Sequence, residues 1–336
     1  MVLHFRQGVC AYDITVARGA LSRAAELFDL KRKVLIVTGE GVPKQYAEAV
    51  LAQCENGQLL IMPEGEANKS LATVELILSA LLDHGFTRGD AVVAVGGGVV
   101  GDTAGFAAAS YMRGIDWYNV PTTLLSQADS SVGGKTGVNF HGIKNIVGAF
   151  HNPSGVLIDP DVLDTLNPRF FAEGLAEIIK MAATSDAELF ATLEEASDLH
   201  PIMEQIIASA LSIKLRVVTE DPTEKGLRAV LNFGHTIGHA IEAAAAAEFY
   251  HGEAVAIGMM YTSSGDAKNR IEKLLKKYGL PMEDSFSVDE LMKYVAHDKK
   301  KRGEKVKLVK VDQIGSFRFE ETCPEELRTI IEARKA

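Results

Sequence analysis

The chain has 336 residues, a length that usually divides into two domains. Hydrophobic residues make up 47% and charged residues 24%, as in ordinary globular proteins, and the net charge of −10 argues against a nucleic-acid partner. The three cysteines lack metal-binding spacing, the N-terminus lacks a signal-peptide core, and no apolar run approaches the roughly 20 residues of a membrane span. We therefore expect a cytoplasmic globular protein with no nucleic-acid or membrane partner.

Short apolar runs alternate with amphipathic stretches through the first half, which predicts an α/β domain with a mostly parallel sheet. Ser70–His84 has the apolar spacing of a helix. The predicted strands are Lys33–Thr38, Leu59–Met62, Ala91–Val95, Trp117–Val120 and Val156–Ile158.

A glycine turn follows the third predicted strand, where Gly96, Gly98 and Gly101 fit the spacing G-x-G-x-x-G. Glycines let the backbone approach a phosphate, and the N-terminus of the following helix favours negative charge. The segment predicts a nucleotide-phosphate site, with a tight strand-to-helix turn as the alternative. A dinucleotide-binding fold usually also has an acidic residue after the next strand, and the sequence shows no clear candidate there.

Pro63–Ser70 (PEGEANKS) places charged residues just before the predicted helix. Glu66 could hold a ribose and Lys69 a phosphate. A solvated charged turn is the equal alternative.

The segment Tyr111–Val147 predicts a long polar loop, because Ser126–Gly134 is too rich in serine, aspartate and glycine for a core helix. Arg113, Lys135 and Lys144 supply cations suited to a carboxylate or phosphate. For each cation, a surface charge without a ligand is the alternative.

From Pro168 onward the pattern is almost entirely helical, with a weak strand pair near Lys305–Val311 and Ser316–Phe319. We place the domain boundary near Asn152–Pro160, giving an α/β domain at 1–155 and a helical domain at 156–336. The predicted helices are Pro168–Thr184, Asp186–Leu199, Ile202–Thr219, Gly234–Ala247 and Glu253–Lys268.

Three histidines within one short region predict a divalent-metal site. His235 and His239 are four residues apart and share a helix face, and His251 could close the site. Glu177 offers a carboxylate from a separate helix, with Lys180 three residues on. On residues alone the three imidazoles are the first choice of ligands, and histidines buried without a metal are the alternative.

Dense charge at Lys214–Arg228 leads into the histidine helix and includes Asp221 and Glu224. We expect substrate contacts there, against the alternative of a solvated helix end. The tract Asp298–Arg302 could lend a lysine or lie on the surface.

Together these stretches resemble the 3-dehydroquinate synthase family of sugar-phosphate cyclases over most of the chain. The resemblance implies an NAD-binding α/β domain with a mostly parallel sheet, an all-α C-terminal domain for metal and substrate, and an active site in the cleft between them. The best-matching stretches are GGGVVGDTAGFAAASYMRG, VPTTLLSQADSSVGGKTGVN, KNIVGAF, GLAEIIK, GLRAVLNFGHTIGHAIE and HGEAVAIGM.

The resemblance also implies individual site residues, with Zn²⁺ or Co²⁺ bound by Glu177, His235 and His251 while His239 faces the substrate. The implied NAD contacts are Glu64, Gly65, Glu66, Ala67, Asn68, Lys69, Gly98, Val99, Val100, Gly101, Asp102, Thr122, Thr123, Lys135, Lys144 and Thr165. The implied catalytic and substrate contacts are Arg113, Asp129, Lys135, Lys144, Asn145, Lys180, Lys214, Arg228, Asn232, His239 and Lys299.

The activity implied is conversion of 3-deoxy-D-arabino-heptulosonate 7-phosphate to 3-dehydroquinate and phosphate, a lyase step of the shikimate pathway of aromatic amino acid biosynthesis. It would proceed by transient NAD oxidation, phosphate elimination, reduction, ring opening and intramolecular aldol closure. The substrate is an anionic sugar phosphate, and a homodimer is typical of the family.

Two stretches depart from the family pattern. Gly39 and Gly41 replace a usual Asp and Asn, so Glu40 is the candidate for the adenosine-ribose contact. The segment NFHGIKN replaces Asn-His-Pro-Leu-Gly-Lys-Asn but keeps Lys144 and Asn145.

Three alternative functions remain. A cyclase forming an inosose or valiolone ring would use a substrate without a carboxylate, against which the cations argue. A metal-dependent polyol dehydrogenase would release NADH stoichiometrically, and a non-catalytic scaffold would lack both bound metal and NAD.

Overall fold

The computed structural model describes residues 1–8, 10–221, 226–245, 248–299 and 305–335, without the side chains of 296–299. The chain forms two compact units. The first comprises Met1–Asn167 with Met203–Leu211, and the second comprises Pro168–Ile202 with Ser212–Ala336. The division falls later than the boundary expected at 155/156, because the strand Gly155–Ile158 and the turn Pro160–Thr165 after it belong to the first unit.

The first unit is built on a seven-stranded sheet, in which every pairing is parallel except that of β1 with β2. The seven strands of this sheet are β1 Val2–Gln7, β2 Cys10–Val16, β3 Lys33–Gly39, β4 Asn56–Met62, β5 Ala91–Gly96, β6 Asp116–Pro121 and β9 Gly155–Ile158. Two further strands, β7 Lys135–Phe140 and β8 Ile143–Phe150, form a separate pair. The helices of the first unit are α1 Ala24–Leu27, α2 Lys44–Leu51, α3 Leu71–Asp83 and α4 Gly98–Ser110. The five predicted strands and the helix predicted at Ser70–His84 are confirmed.

The order of strands in the sheet is β1-β2-β9-β6-β5-β3-β4. β3 and β5 are buried on both faces, which explains why they read as continuous apolar runs. After β3 the chain first pairs β4 on one side and then β5 on the other, so the strand order reverses there. Ligands of open α/β sheets bind at the carboxyl ends of strands at such a reversal, and the glycine turn after β5 lies there.

The prediction of a long polar loop within Tyr111–Val147 is wrong outside the strand predicted at Trp117–Val120, which is β6. The rest of the segment contains a helical turn at Ser126–Ser130 and the antiparallel hairpin of β7 and β8. Gln127 is fully buried in this turn, where its Nε2 donates to Pro121 O and Asp159 O at 3.1 and 2.9 Å while its Oε1 has no hydrogen-bond partner.

The second unit is mainly helical, as expected, and also contains the strand pair seen weakly in the sequence. Its helices are α5 Pro168–Ser185, α6 Ala187–Glu195, α7 Met203–Glu220, α8 His235–Ala244, α9 His251–Thr262, α10 Gly265–Lys277, α11 Val288–Lys299 and α12 Pro324–Lys335. The strands β10 Val306–Lys310 and β11 Arg318–Thr322 pair antiparallel. The first residues of α7, through Leu211, group with the first unit.

The prediction of a single helix over Glu253–Lys268 is wrong, because α9 ends at Thr262 and α10 begins at Gly265. Ser263 forms a β-bridge with Val311, and the backbone N–H of Ser264 donates to Val311 O at 3.1 Å. Tertiary pairing therefore interrupts a helical pattern that sequence alone favours.

Across the described ranges, none of the helices combines the length and apolar character that crossing a membrane requires. The three cysteines are free thiols, each partly buried.

Candidate metal centre and nucleotide-phosphate site

The glycine turn of the first unit ends at the N-terminus of α4, where no described side chain caps the helix. A Cβ at Gly96 would lie 2.6 Å from Val100 Cβ, and one at Gly97 would lie 2.9 Å from Thr123 Cγ2. Side chains are excluded by this packing, and the helix N-terminus keeps backbone N–H groups available to an anion.

A small polar pocket adjoins this turn, and its lining includes four residues expected from the sequence: Gly98, Gly101, Asp102 and Lys135. Three residues that the sequence analysis missed also line it: Asn119, Ser126 and Ser131. The buried Ser131 Oγ has no hydrogen-bond partner. A polar Asn119 inside the apolar strand β6 was the available sequence signal for this pocket.

Lys69 is 5% exposed and joins three segments of the first unit. Its Nζ donates to Asp102 Oδ2 and Asn145 Oδ1, both at 2.5 Å, so the PEGEANKS segment is tied to α4 and β8. Asn145 has a left-handed backbone with φ of 53°, a conformation that asparagine tolerates better than most residues. The structure therefore brings together three residues that the sequence placed far apart.

The other first-unit candidates lie in turns around the sheet. Thr122 and Thr123 follow β6, and the Thr122 N–H donates to Gly96 O at 3.0 Å. Glu64 to Asn68 follow β4 as a mostly exposed turn. Val99 and Val100 lie in the first turn of α4.

Four further candidates occupy separate places. Arg113 is exposed in a left-handed turn with φ of 67°, and Asp129 lies in the buried helical turn. Lys144 is exposed on β8, and Thr165 Oγ1 shares a hydrogen bond of 2.8 Å with Tyr46 OH.

Glu40, the candidate for the ribose contact, is exposed just after β3. Its Oε2 accepts a hydrogen bond from the Glu64 N–H at 3.4 Å. A Cβ at Gly41 would lie 2.4 Å from Glu64 Oε1. Gly41 thus leaves room for the Glu64 carboxylate beside Glu40.

In the second unit, α5 buries three charged side chains, and the deepest are Glu177 and Lys180 at 1% and 2% exposure, with Glu173 as the third. Lys180 Nζ donates to Glu177 Oε2, as the three-residue spacing on one helix face allows. The other oxygen, Glu177 Oε1, is buried and has no hydrogen-bond partner. An unsatisfied carboxylate oxygen at this depth is costly, so a cation beside it is expected.

Two imidazoles face that oxygen. His235 Nε2 lies 3.6 Å and His251 Nε2 3.7 Å from Glu177 Oε1. Ligands about 2.1 Å from a tetrahedral Zn²⁺ stand about 3.4 Å apart, so a small shift of these atoms would admit the ion. Glu177, His235 and His251 therefore fit a divalent metal on geometry and on donor chemistry.

His239 gives an alternative set, since ligand nitrogens of His235, His239 and His251 all lie within 4.8 Å of one another. His239 is exposed, whereas Glu177 is buried with an unpartnered oxygen aimed at both other histidines. We favour the set with Glu177, because the exposed imidazole of His239 has water available and the buried oxygen does not.

The two candidate histidine ligands have opposite pKa shifts. Burial, with the positive charge of Lys180, holds the pKa of His235 well below its ordinary value and favours the neutral ring that binds metals. Burial also acts to lower the pKa of His251, but its hydrogen bond to the Glu242 carboxylate and the charge of Glu177 outweigh burial and raise that pKa.

Glycines let α5, α8 and α9 approach closely enough to assemble these ligands. A Cβ at Gly258 would lie 1.9 Å from Gly234 O, and one at Gly252 would lie 2.2 Å from Glu173 O. Both overlaps are with backbone atoms, which cannot move aside as a side chain can.

The remaining second-unit candidates come from α7 and from the turn that precedes α8. Lys214 on α7 and Arg228 are buried, and Asn232 ends the turn Leu227–Asn232. Asp221 Oδ2 accepts from the N–H groups of Gly226 and Arg228 at 2.7 and 2.9 Å. The side chain of Lys299, and Glu224 entirely, lie outside the described residues.

Two sequence profiles match consecutive parts of the chain. The profile described as 3-dehydroquinate synthase N-terminal matches residues 59–173, and 3-dehydroquinate synthase C-terminal matches residues 174–301. A 3-dehydroquinate synthase of Streptococcus suis (strain 05ZYH33) is 43% identical over 339 residues, covering 94% of this chain and 95% of the relative.

Two solved structures resemble the whole chain. A 2-deoxy-scyllo-inosose synthase complexed with carbaglucose-6-phosphate, NAD⁺ and Co²⁺ has a TM-score of 0.90 at 25% identity, covering 99% of this chain and 100% of that one. A 2-epi-5-epi-valiolone synthase from Streptomyces hygroscopicus subsp. jinggangensis 5008 with NAD⁺ and Zn²⁺ bound has a TM-score of 0.89 at 29% identity, covering 98% of each chain.

Proposed function

The chain belongs to the 3-dehydroquinate synthase family, and from that premise we propose that it converts 3-deoxy-D-arabino-heptulosonate 7-phosphate to 3-dehydroquinate and phosphate. The observation that carries the proposal is the unpartnered Glu177 Oε1, which lies within 3.7 Å of both His235 Nε2 and His251 Nε2. We propose that these three residues hold Zn²⁺ or Co²⁺, and that His239 contacts the substrate.

A bound divalent ion would favour ionisation of a substrate hydroxyl, and NAD would supply a reversible oxidation that leaves no net redox change. The residues of the chain bind and orient the reacting groups. Lys180 keeps its ammonium group against Glu177, so it adds positive charge beside the ligand set without leaving a buried charge unpaired.

The proposed substrate carries a carboxylate and a phosphate, and the second unit buries cations suited to such groups. Lys214 and Arg228 are 7% and 6% exposed. Partly desolvated cations bind anions more strongly than exposed ones, because less water competes for them. These cations suit the phosphate and the carboxylate alike, and the preference for a carboxylate-bearing substrate is supported by the 43% identity to a 3-dehydroquinate synthase over 94% of this chain.

In the first unit, we propose that the N-terminus of α4 and its glycine turn bind the pyrophosphate of NAD. The exposed turn from Glu64 to Asn68, together with Lys69, Thr122, Thr123 and Thr165, would supply further contacts. Glu40 is the proposed partner of the adenosine ribose. We further propose that the protein works in the cytoplasm as a homodimer.

The test is to incubate the purified protein with NAD, Zn²⁺ and the heptulosonate phosphate while following phosphate and NADH together. The proposal predicts one phosphate released for each substrate consumed, with no accumulation of NADH. Stoichiometric NADH would indicate a polyol dehydrogenase. Turnover of only those sugar phosphates that lack a carboxylate would indicate another cyclase.

A further inference from the structure

Glu242 contacts the metal-ligand candidate His251 and was not singled out in the sequence. Its Oε2 lies 3.1 Å from His251 Nδ1, and the Glu242 side chain is 13% exposed. The other ring nitrogen, His251 Nε2, is the one that faces Glu177 Oε1 at 3.7 Å. The ring of His251 therefore lies between two carboxylates, one at each nitrogen.

A carboxylate accepts hydrogen bonds, so Glu242 keeps the proton of a neutral His251 on Nδ1. The lone pair is then on Nε2, the nitrogen that a metal beside Glu177 needs. Carboxylates that accept from the far nitrogen of a histidine ligand fix its tautomer and ring orientation, and they raise its basicity.

The backbone of His251 is held separately, at the start of α9. Glu253 Oε2 accepts from the Tyr250 N–H at 2.8 Å, and Arg169 donates to both carboxylate oxygens of Glu253, at 2.6 and 2.7 Å. With the backbone fixed in this way, rotation of the imidazole is the freedom that remains, and Glu242 restricts it.

The other two ligand candidates are oriented by different means. His235 Nδ1 lies 3.1 Å from the backbone carbonyl of Phe233, and Glu177 Oε2 accepts from Lys180. Each candidate ligand thus has its remaining polar atom engaged. Glu242 is notable because α8 also carries His235, seven residues earlier on the same face, so one helix provides a ligand and orients another.

We propose that Glu242 is a positioning residue, which sets metal affinity by orienting His251 through the Nδ1 hydrogen bond. This inference rests on the proposed function, since it assumes that Glu177, His235 and His251 hold the ion. It predicts that the reach of the acceptor at position 242 matters more than its charge.

The experiment measures Zn²⁺ dissociation constants by competition with a chromogenic chelator, and visible absorption of the Co²⁺-loaded protein. Glu242→Gln keeps the acceptor in place without the charge, whereas Glu242→Asp keeps the charge but withdraws the acceptor by one methylene. Glu242→Ala removes both. Glu248→Ala is the matched control, because Glu248 is an exposed glutamate that lies between α8, which carries Glu242, and α9, which carries His251.

We expect Glu242→Ala and Glu242→Asp to raise the dissociation constant about 10–100-fold and to change the Co²⁺ spectrum. Glu242→Gln should bind metal less tightly than the wild type but more tightly than Glu242→Asp, because it keeps the acceptor in place and loses only the charge, and Glu248→Ala should match the wild type. Circular dichroism of the metal-free variants checks the fold. If Glu242→Ala does not fold, the comparison of metal affinity between Glu242→Gln and Glu242→Asp tests the inference without it.

Equal affinity in all the variants, or weaker binding by Glu242→Gln than by Glu242→Asp, would overturn the inference and leave the proposed function standing. A wild-type protein that binds no divalent ion would overturn the metal site and this inference together.

Discussion

The glycine turn of the first unit and the candidate metal centre of the second unit are built in different ways. In the first unit, the glycine turn, the end of β5 and the start of α4 come from one continuous stretch, Ala91–Asp102. In the second unit, Glu177, His235 and His251 come from three helices and span more than 70 positions of the sequence. A contiguous site depends on local backbone shape, whereas a dispersed one depends on how closely its helices pack.

This difference predicts where substitutions act. A change in the first unit's turn should affect one ligand contact at a time. A change at a helix crossing in the second unit should remove the metal even when no ligand is touched.

His235→Ala should lower turnover by at least about 10³-fold, or about 4 kcal/mol of transition-state stabilisation, because it removes a metal ligand. The fold should survive, because His235 is not part of the buried apolar core of the second unit. Zinc content by elemental analysis and the rate of phosphate release check this. His84→Ala, at an exposed position after α3, is the control. Full activity of His235→Ala in metal-stripped buffer would rule out the role.

Gly258→Ala should destabilise the second unit by about 3 kcal/mol and weaken metal binding, because its Cβ would overlap Gly234 O. Calorimetric unfolding and zinc competition measure the two effects. Gly89→Ala is the matched control, since its nearest neighbour atom would lie 3.8 Å away. Normal stability and metal affinity in Gly258→Ala would show that the close approach of α8 and α9 is not required.

Lys135→Ala should lower turnover about 10²-fold while changing NAD affinity much less. The family resemblance implies both an NAD and a substrate contact for this cation, and we propose that its contact with the substrate anion matters more. Steady-state kinetics and NAD titration by fluorescence separate the two quantities. Lys31→Ala, an exposed lysine before β3, should behave as the wild type. An unchanged rate in Lys135→Ala would reject the proposed role.

Much of the first unit could be predicted from the sequence because buried parallel strands are continuous apolar runs, as at Lys33–Gly39. The antiparallel pair β1 and β2 at one end of the sheet and the hairpin of β7 and β8 lack that signal and were not predicted. Burial of Gln127 depends on carbonyls at Pro121 and Asp159, which only the folded chain brings near it.

In the second unit, the sequence indicated His235, His239 and His251 through their proximity alone. The preference for Glu177 over His239 came from the family resemblance, and the geometry now adds an independent argument through the buried Oε1. Glu242 was missed because its role depends on the spatial contact with His251, although it lies three residues after His239 on α8.

The proposed metal site of Glu177, His235 and His251 is tested most directly by the zinc content of Glu177→Ala and His239→Ala, measured beside the wild type at equal free Zn²⁺. We expect about one zinc per chain in the wild type and in His239→Ala, and a loss of zinc in Glu177→Ala. Retention of zinc by Glu177→Ala, with loss in His239→Ala, would rule out this ligand set and assign the site to the three imidazoles.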